Sequence, residues 1–348
     1  MTAESIAIVG PGRMGVGIAT AVLMANQGYT VTLIDTKKRE AGKETEALDS
    51  ACEEVKANLE LLDGLEMLRG DAATLSAALG VSAGLEQTIA GCSFVFEALP
   101  EKVTIKQDFY RAIGPLMDKG TVIASATSTF HLDVFWDVCT RPGNVVSAHW
   151  LNPAFLIPLV EVTHGEKTHA WASVRMCDFL RSIGKIPVTM KTSPGFIVPR
   201  IQAAAMNEAI RILEEGVTTA EEIDTAIKAG FGFRLAVMGL IEFVDLGGVD
   251  ILFHAGEYLH NKLGADQFKP PRLVREKMAR EEMGPRTGKG FYDYKDVDTR
   301  KLFNEKYIGF AELLHLYERS KYLNFAGGVT VDAPPGIDAT PAKRKEKT

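Results

Sequence analysis

Short apolar runs alternate with amphipathic stretches through the first half of the chain. Ser5–Val9 (SIAIV), Thr30–Ile34 (TVTLI), 93–97 (SFVFE), 121–125 (TVIAS) and the run that reaches His149 are bounded by turn residues. Runs of that length and bounding predict strands. Between them, 16–26 and 103–117 predict helices, and 43–68 carries apolar residues at helical spacing. Such alternation predicts a mostly parallel sheet covered on both faces. Ligands of these sheets sit beyond the carboxyl ends of the strands. Gly10, Asp35, Glu97, Ser128 and His149 all fall at or just past such ends.

Near Lys191 the pattern changes. Ser193-Pro194-Gly195 is a break, and Pro199 suits the first turn of a following helix that ends at Gly216. Helical spacing then continues through Leu263. A Gly-rich turn over 286–294 closes this half, and 298–322 predicts a polar helix. The division expected is a sheet domain over 1–190, an all-helical domain over 191–325 and a disordered tail over 326–348, rich in Pro, Ala, Gly and charge. The small and apolar residues of the second half predict a homodimer surface or a helical core.

The first strand runs into Gly10-Pro11-Gly12-Arg13-Met14-Gly15, a helix follows, and the second strand ends in Asp35, 20 residues beyond Gly15 (35 − 15). This is the order of a Rossmann-type dinucleotide site. Gly10 allows the tight turn, Gly12 lets backbone approach a pyrophosphate, and Gly15 lets helix and sheet pack closely. The helix N-terminus offers N–H groups to phosphate. Asp35 stands where a carboxylate binds a ribose 2′-hydroxyl and repels a 2′-phosphate, so NAD is expected over NADP. Lys37, Lys38 and Arg39 soften that preference.

The chain has 348 residues, 46% hydrophobic, and a formal net charge of −6. That length favours two domains. An acidic chain without a basic block in its folded part is a poor match for nucleic acid or an anionic membrane. Cys52, Cys92, Cys139 and Cys177 are scattered, with no metal-ligand spacing, as expected of reduced thiols in a cytoplasmic protein. No signal peptide and no membrane-spanning run is read. No metal is expected.

One stretch concentrates chemistry. In VVSAHWLNPAFLIPLVEV, 145–162, two apolar runs flank a Pro-containing loop, so they can lie side by side. Glu161, inside Leu-Val-Glu-Val, is costly to bury without a partner, and His149 lies within reach. A carboxylate on one imidazole nitrogen fixes the tautomer and leaves the other nitrogen to move a proton. A half-exposed histidine beside a structural glutamate is the competing reading.

With IAIVGPGRMGVGIA, FEALPEKVTIKQDFY, IASATST, AHWLNPAFLIPLVEV, SPGFIVPRI, EEGVTTAEEIDTA and RTGKGFYDY in this order, the chain resembles the 3-hydroxyacyl-CoA dehydrogenases over roughly residues 4–295. The resemblance implies an NAD site at Gly10 to Gly15 and Asp35, with Glu101, Lys106 and Arg286 near the cofactor. It implies that His149 is the base, Glu161 its orienting partner, Ser128 a hydroxyl near nicotinamide and substrate, and Asn152 a further residue of the same site. The activity implied is oxidation of a 3-hydroxyacyl-CoA, short-chain and 3-hydroxybutyryl-CoA-like, to the 3-keto product.

Two family asparagines are missing. One is replaced by Pro199 in GFIVPR, the other by Ala126 in Ser-Ala-Thr-Ser. CoA-using members carry bases in the helical excursion, whereas here nine acids (Glu44, Glu46, Asp49, Glu53, Glu54, Glu60, Asp63, Glu66, Asp71) stand against two bases (Lys56, Arg69). The alternative reading is therefore an NAD-dependent dehydrogenase of a small non-CoA hydroxy acid or alcohol, carnitine-like, sugar-acid-like or aromatic. A solvated helix face also explains the acids. A non-catalytic NAD-binding structural protein is a further alternative, against which Ser128, His149 and Glu161 argue.

Overall fold

A computed structural model describes residues 4–41, 43, 45–320, 323 and 325. The chain divides into two compact units, Met1–Ala205 and Met206–Thr348. The tail over 326–348 lies outside the described residues.

The first unit holds eight strands: β1 (Ser5–Val9), β2 (Thr30–Ile34), β3 (Leu79–Ser82), β4 (Phe94–Glu97), β5 (Val122–Ser125), β6 (Val145–Trp150), β7 (Leu159–His164) and β8 (Ile186–Lys191). They form one sheet in the order β3-β2-β1-β4-β5-β6-β7-β8. All neighbours pair parallel except β6 with β7, which are antiparallel. Strand order reverses between β1 and β4, and such a switch point opens a crevice beyond the carboxyl ends.

Alternate residues of one strand enter different cores. Ile6 and Ile8 pack with the helices Arg13–Met24, Glu46–Gly64 and Ala170–Ser182 through Val16, Leu48 and Phe179. Ala7 and Val9 pack with Phe109, Tyr110 and Ile113 of the helix Val103–Ile113. Both faces are therefore dry, which explains why the central strands are continuous apolar runs rather than alternating ones.

Three features differ from the sequence expectation. The first helix begins at Arg13 rather than Val16, directly after the N-cap Gly12. Strand β3 was hidden by its brevity and by Gly80, where a Cβ would stand 3.2 Å from Thr32 Oγ1 on the neighbouring strand. Strand β8 contains Pro187 and lies at the sheet edge, where a missing N–H is tolerated.

The second unit is helical, with Ala220–Ala226, Leu240–Gly247, Val249–Leu263, Arg272–Ala279 and Thr299–Arg319 among its helices. Its Gly-rich turn is clamped by Asp245, which is 1% exposed. That carboxylate accepts from the N–H groups of Phe291 and Tyr292, both at 2.8 Å, and from the Tyr294 hydroxyl at 3.2 Å. No helix among the described residues is long and apolar enough to cross a membrane.

Candidate active site

The glycine loop is built as its spacing requires. Gly10 has φ +113°, and its N–H donates to Ile34 O at 2.8 Å. A Cβ there would stand 2.5 Å from Ala98 O, and one on Gly15 would stand 2.0 Å from Gly10 O. Gly12 differs: a Cβ would meet nothing within 4 Å. The helix behind Gly12 has no side-chain cap. Open space in front of an uncapped helix N-terminus is a cradle for a pyrophosphate. Pro11 is half-buried, Arg13 is exposed and Met14 packs against the core.

Asp35 follows β2 directly and is 5% exposed. Its Oδ1 accepts from Lys37 N at 3.0 Å, while Arg39 donates to Oδ2 from Nε at 2.8 Å and approaches it with Nη2 at 2.7 Å. The carboxylate stands beside the glycine loop, because Val9 and Ile34 are register partners. These residues fit the adenosine diphosphate half of NAD.

Beneath the crevice lies a buried ionic network. Glu97 ends β4 at 0% exposure. It accepts from Lys106 Nζ at 2.7 Å, Ser125 Oγ at 2.6 Å and Leu99 N at 2.8 Å. Burial lifts its pKa above the ordinary carboxylate value, against the pull of Lys106, Ser125 and Leu99. Lys106 also reaches Glu101 Oε2 at 3.2 Å and Leu99 O at 3.3 Å. Glu101 in turn gathers the loop after β5, accepting from Thr127 Oγ1 at 2.5 Å, Ser128 N at 3.2 Å and Thr129 Oγ1 at 3.1 Å. Burial works to raise the Glu101 pKa, but the Thr127 hydrogen bond and Lys106 outweigh it and hold that carboxyl below its usual range. Lys106 is 1% exposed and surrounded by acceptors, so it bears on the crevice through Glu101 and the Ser128 loop.

His149 and Glu161 are direct cross-strand partners in the antiparallel β6–β7 pair. His149 Nδ1 lies 2.8 Å from Glu161 Oε2, with the histidine 6% and the glutamate 0% exposed. The other carboxylate oxygen, Oε1, accepts from Ile197 N at 2.9 Å and Val198 N at 2.8 Å. Glu161 thus satisfies the opening N–H groups of the helix Val198–Glu214 while holding the imidazole. Pro199 stands second in that helix, where its missing N–H costs little. No described residue bonds His149 Nε2.

Three supports were not anticipated. The Phe196 ring lies 5.3 Å from the His149 ring, centroid to centroid, on a backbone of φ +47°. Its only sequence signal is an aromatic residue straight after Pro194-Gly195. Lys185 donates to the carbonyls of Ala154 at 2.7 Å, Phe155 at 3.2 Å and Ile157 at 2.9 Å, fixing the loop between β6 and β7. Burial pushes its pKa down to about 8. Nothing in the sequence marked that lysine. Thr127, the third, bonds Glu101 from beside the expected Ser128. Asn152 is exposed on the Lys185-held loop. Arg286 belongs to the second unit, where it pairs with Asp250.

Residues 5–193 match the NAD binding domain of 3-hydroxyacyl-CoA dehydrogenase, and 195–294 match its C-terminal domain. A 5-formyl-3-hydroxy-2-methylpyridine 4-carboxylate 5-dehydrogenase of Mesorhizobium japonicum is 31% identical over 307 residues, 87% of this chain and 94% of that protein. A probable 3-hydroxybutyryl-CoA dehydrogenase of Deinococcus radiodurans is 30% identical over 287 residues, 82% of this chain and 99% of that protein. The crystal structure of a 3-hydroxyacyl-CoA dehydrogenase from Archaeoglobus fulgidus superposes with a TM-score of 0.73 at 28% identity, covering 91% of this chain and 100% of that one. This chain belongs to the 3-hydroxyacyl-CoA dehydrogenase family and is an NAD-dependent oxidoreductase.

Proposed function

We propose that the protein oxidises the C3 hydroxyl of a short 3-hydroxyacyl group to the ketone, with His149 as general base. The observation that carries this reading is the buried His149–Glu161 pair at 2.8 Å, with Nε2 left to the substrate. When bound, NAD supplies the hydride acceptor. Glu161, on Nδ1, holds the proton there, so Nε2 is the lone-pair nitrogen that faces the alcohol. As the C3 hydroxyl gives up its proton, the imidazole becomes imidazolium and the Glu161 carboxylate stabilises it. In the reverse direction the imidazolium returns that proton to the developing alkoxide. Phe196 shields the ring from water and limits its rotation. Ser128 presents a hydroxyl on a loop whose shape Glu101 holds, and Asn152 offers an amide on the loop beyond β6.

A second reading, a free hydroxy acid or alcohol without CoA, is favoured by one observation. The outer face of Glu46–Gly64 exposes Glu46, Asp49, Glu53, Glu54, Glu60 and Asp63. Lys56, the one base on that helix, lies 3.8 Å from Glu60. A face of that sign repels the phosphates of CoA. The Mesorhizobium relative, named for a pyridine carboxylate, shows that this sequence neighbourhood includes non-CoA substrates.

NAD reduction followed optically, with L-3-hydroxybutyryl-CoA beside a panel of free hydroxy acids, tests both. Fast turnover of the thioester supports the first reading and makes the acidic face a solvent-facing detail. Turnover of free acids alone replaces it with the second.

A further inference from the structure

We infer that the cofactor site also admits NADP, with Arg39 bridging Asp35 and a 2′-phosphate. The inference concerns the adenosine end of the cofactor and is independent of which hydroxyl compound is oxidised.

A carboxylate at the end of the second strand selects NAD in two ways. It accepts from the ribose 2′-hydroxyl, and it repels a phosphate placed there. Repulsion requires an uncompensated negative charge. Here Asp35 is compensated on both oxygens: Arg39 holds Oδ2 through Nε and Nη2, at 2.8 and 2.7 Å, and Lys37 N holds Oδ1 at 3.0 Å. The segment 35–39 carries three bases, Lys37, Lys38 and Arg39, against the one acid. The next acid, Glu40, is met by Lys43 at 3.0 Å. Lys37 and Lys38 are exposed, and their side chains bond none of the described residues. The field around the 2′ position is therefore cationic rather than anionic.

Arg39 can serve both anions at once. Asp35 is 5% exposed, so its pair with Arg39 is kept, while Arg39, 27% exposed, leaves Nη1 unbonded by any described residue. A phosphate offers the guanidinium the same forked geometry as a carboxylate, with more charge. With NAD bound, Arg39 stays on Asp35 and Asp35 keeps an acceptor for the ribose hydroxyl. With NADP bound, Arg39 stays on Asp35 through Nε and Nη2 and reaches the phosphate with Nη1, and Lys37 and Lys38 add point charges.

The test is calorimetric titration of the full chain with NAD, NADP and 2′,5′-ADP, without substrate. The wild-type protein should bind NADP within about a hundredfold of NAD, with the steeper loss on raising salt. Arg39→Ala should weaken NADP and 2′,5′-ADP about tenfold or more, the value of one lost charge-assisted pair, while NAD changes less than about threefold. Asp35→Asn should do the reverse, weakening NAD and sparing NADP. NADP binding more than about a hundredfold weaker than NAD overturns the inference. So does an Arg39→Ala variant that weakens both cofactors equally, since that marks Arg39 as a support of Asp35 alone.

Discussion

Glu161 gives one oxygen to His149 Nδ1, at 2.8 Å, and the other to the N–H groups of Ile197 and Val198. One buried carboxylate therefore orients the base and fixes the start of the next helix. Glu161→Gln keeps the shape but turns an acceptor of the imidazole N–H into an amide. Turnover should fall about a hundredfold or more, with NAD affinity by titration unchanged. Glu161→Ala should also lower stability by about 1 kcal/mol or more through the lost cap, read from denaturant unfolding. Equal stability of the two variants would disconnect the carboxylate from the helix.

The glycine loop separates folding from binding. Gly12 faces open space, so Gly12→Ala should cost less than about 1 kcal/mol in stability yet weaken NAD roughly tenfold or more. Gly15→Ala places a methyl 2.0 Å from Gly10 O and should cost about 3 kcal/mol. Melting curves and NAD titration on the two proteins should rank them in opposite orders.

Lys106 and Glu97, at 1% and 0% exposure, are a buried pair. Removing one partner strands a charge, so Lys106→Met or Glu97→Gln alone should cost about 3–5 kcal/mol. The double variant should cost clearly less than the sum. An additive double-mutant cycle would show that the two act separately.

Lys185 gives a pH dependence with a definite sign. Burial lowers its pKa from 10.5 to about 8 in the folded protein. Between these values the unfolded chain binds a proton that the folded protein does not, so this lysine's contribution to stability rises with pH across that window. Stability of the wild-type protein relative to Lys185→Met should increase between pH 8 and 10.5 by at most about 3 kcal/mol. A difference that is flat or falling across that range would contradict the assignment.

Much of this was legible in the residues. The central strands announce themselves because both faces are buried, leaving unbroken apolar runs. The cofactor loop is legible because each glycine answers a separate steric demand. His149 and Glu161 could be paired because a carboxylate inside an apolar run needs a partner and a short loop brings one. What stayed hidden depends on distance in sequence. Lys185 meets carbonyls at 154–157, and Phe196 reaches His149 from beyond β8. Lys106 shows what a motif leaves open: the resemblance implies a place near the cofactor, and the geometry adds that its ammonium is held by Glu97, Glu101 and Leu99. The pairing of Arg39 with Asp35 was likewise invisible, since adjacent bases state a charge and no contact.

The most direct test of the account is His149→Gln, measured for NAD binding by titration and for turnover of whichever hydroxyl substrate the wild-type protein accepts. The account predicts unchanged NAD affinity with turnover reduced about a hundredfold to ten-thousandfold. Near-normal turnover in this variant would contradict it and leave the His149–Glu161 pair as a structural feature of the β6–β7 hairpin.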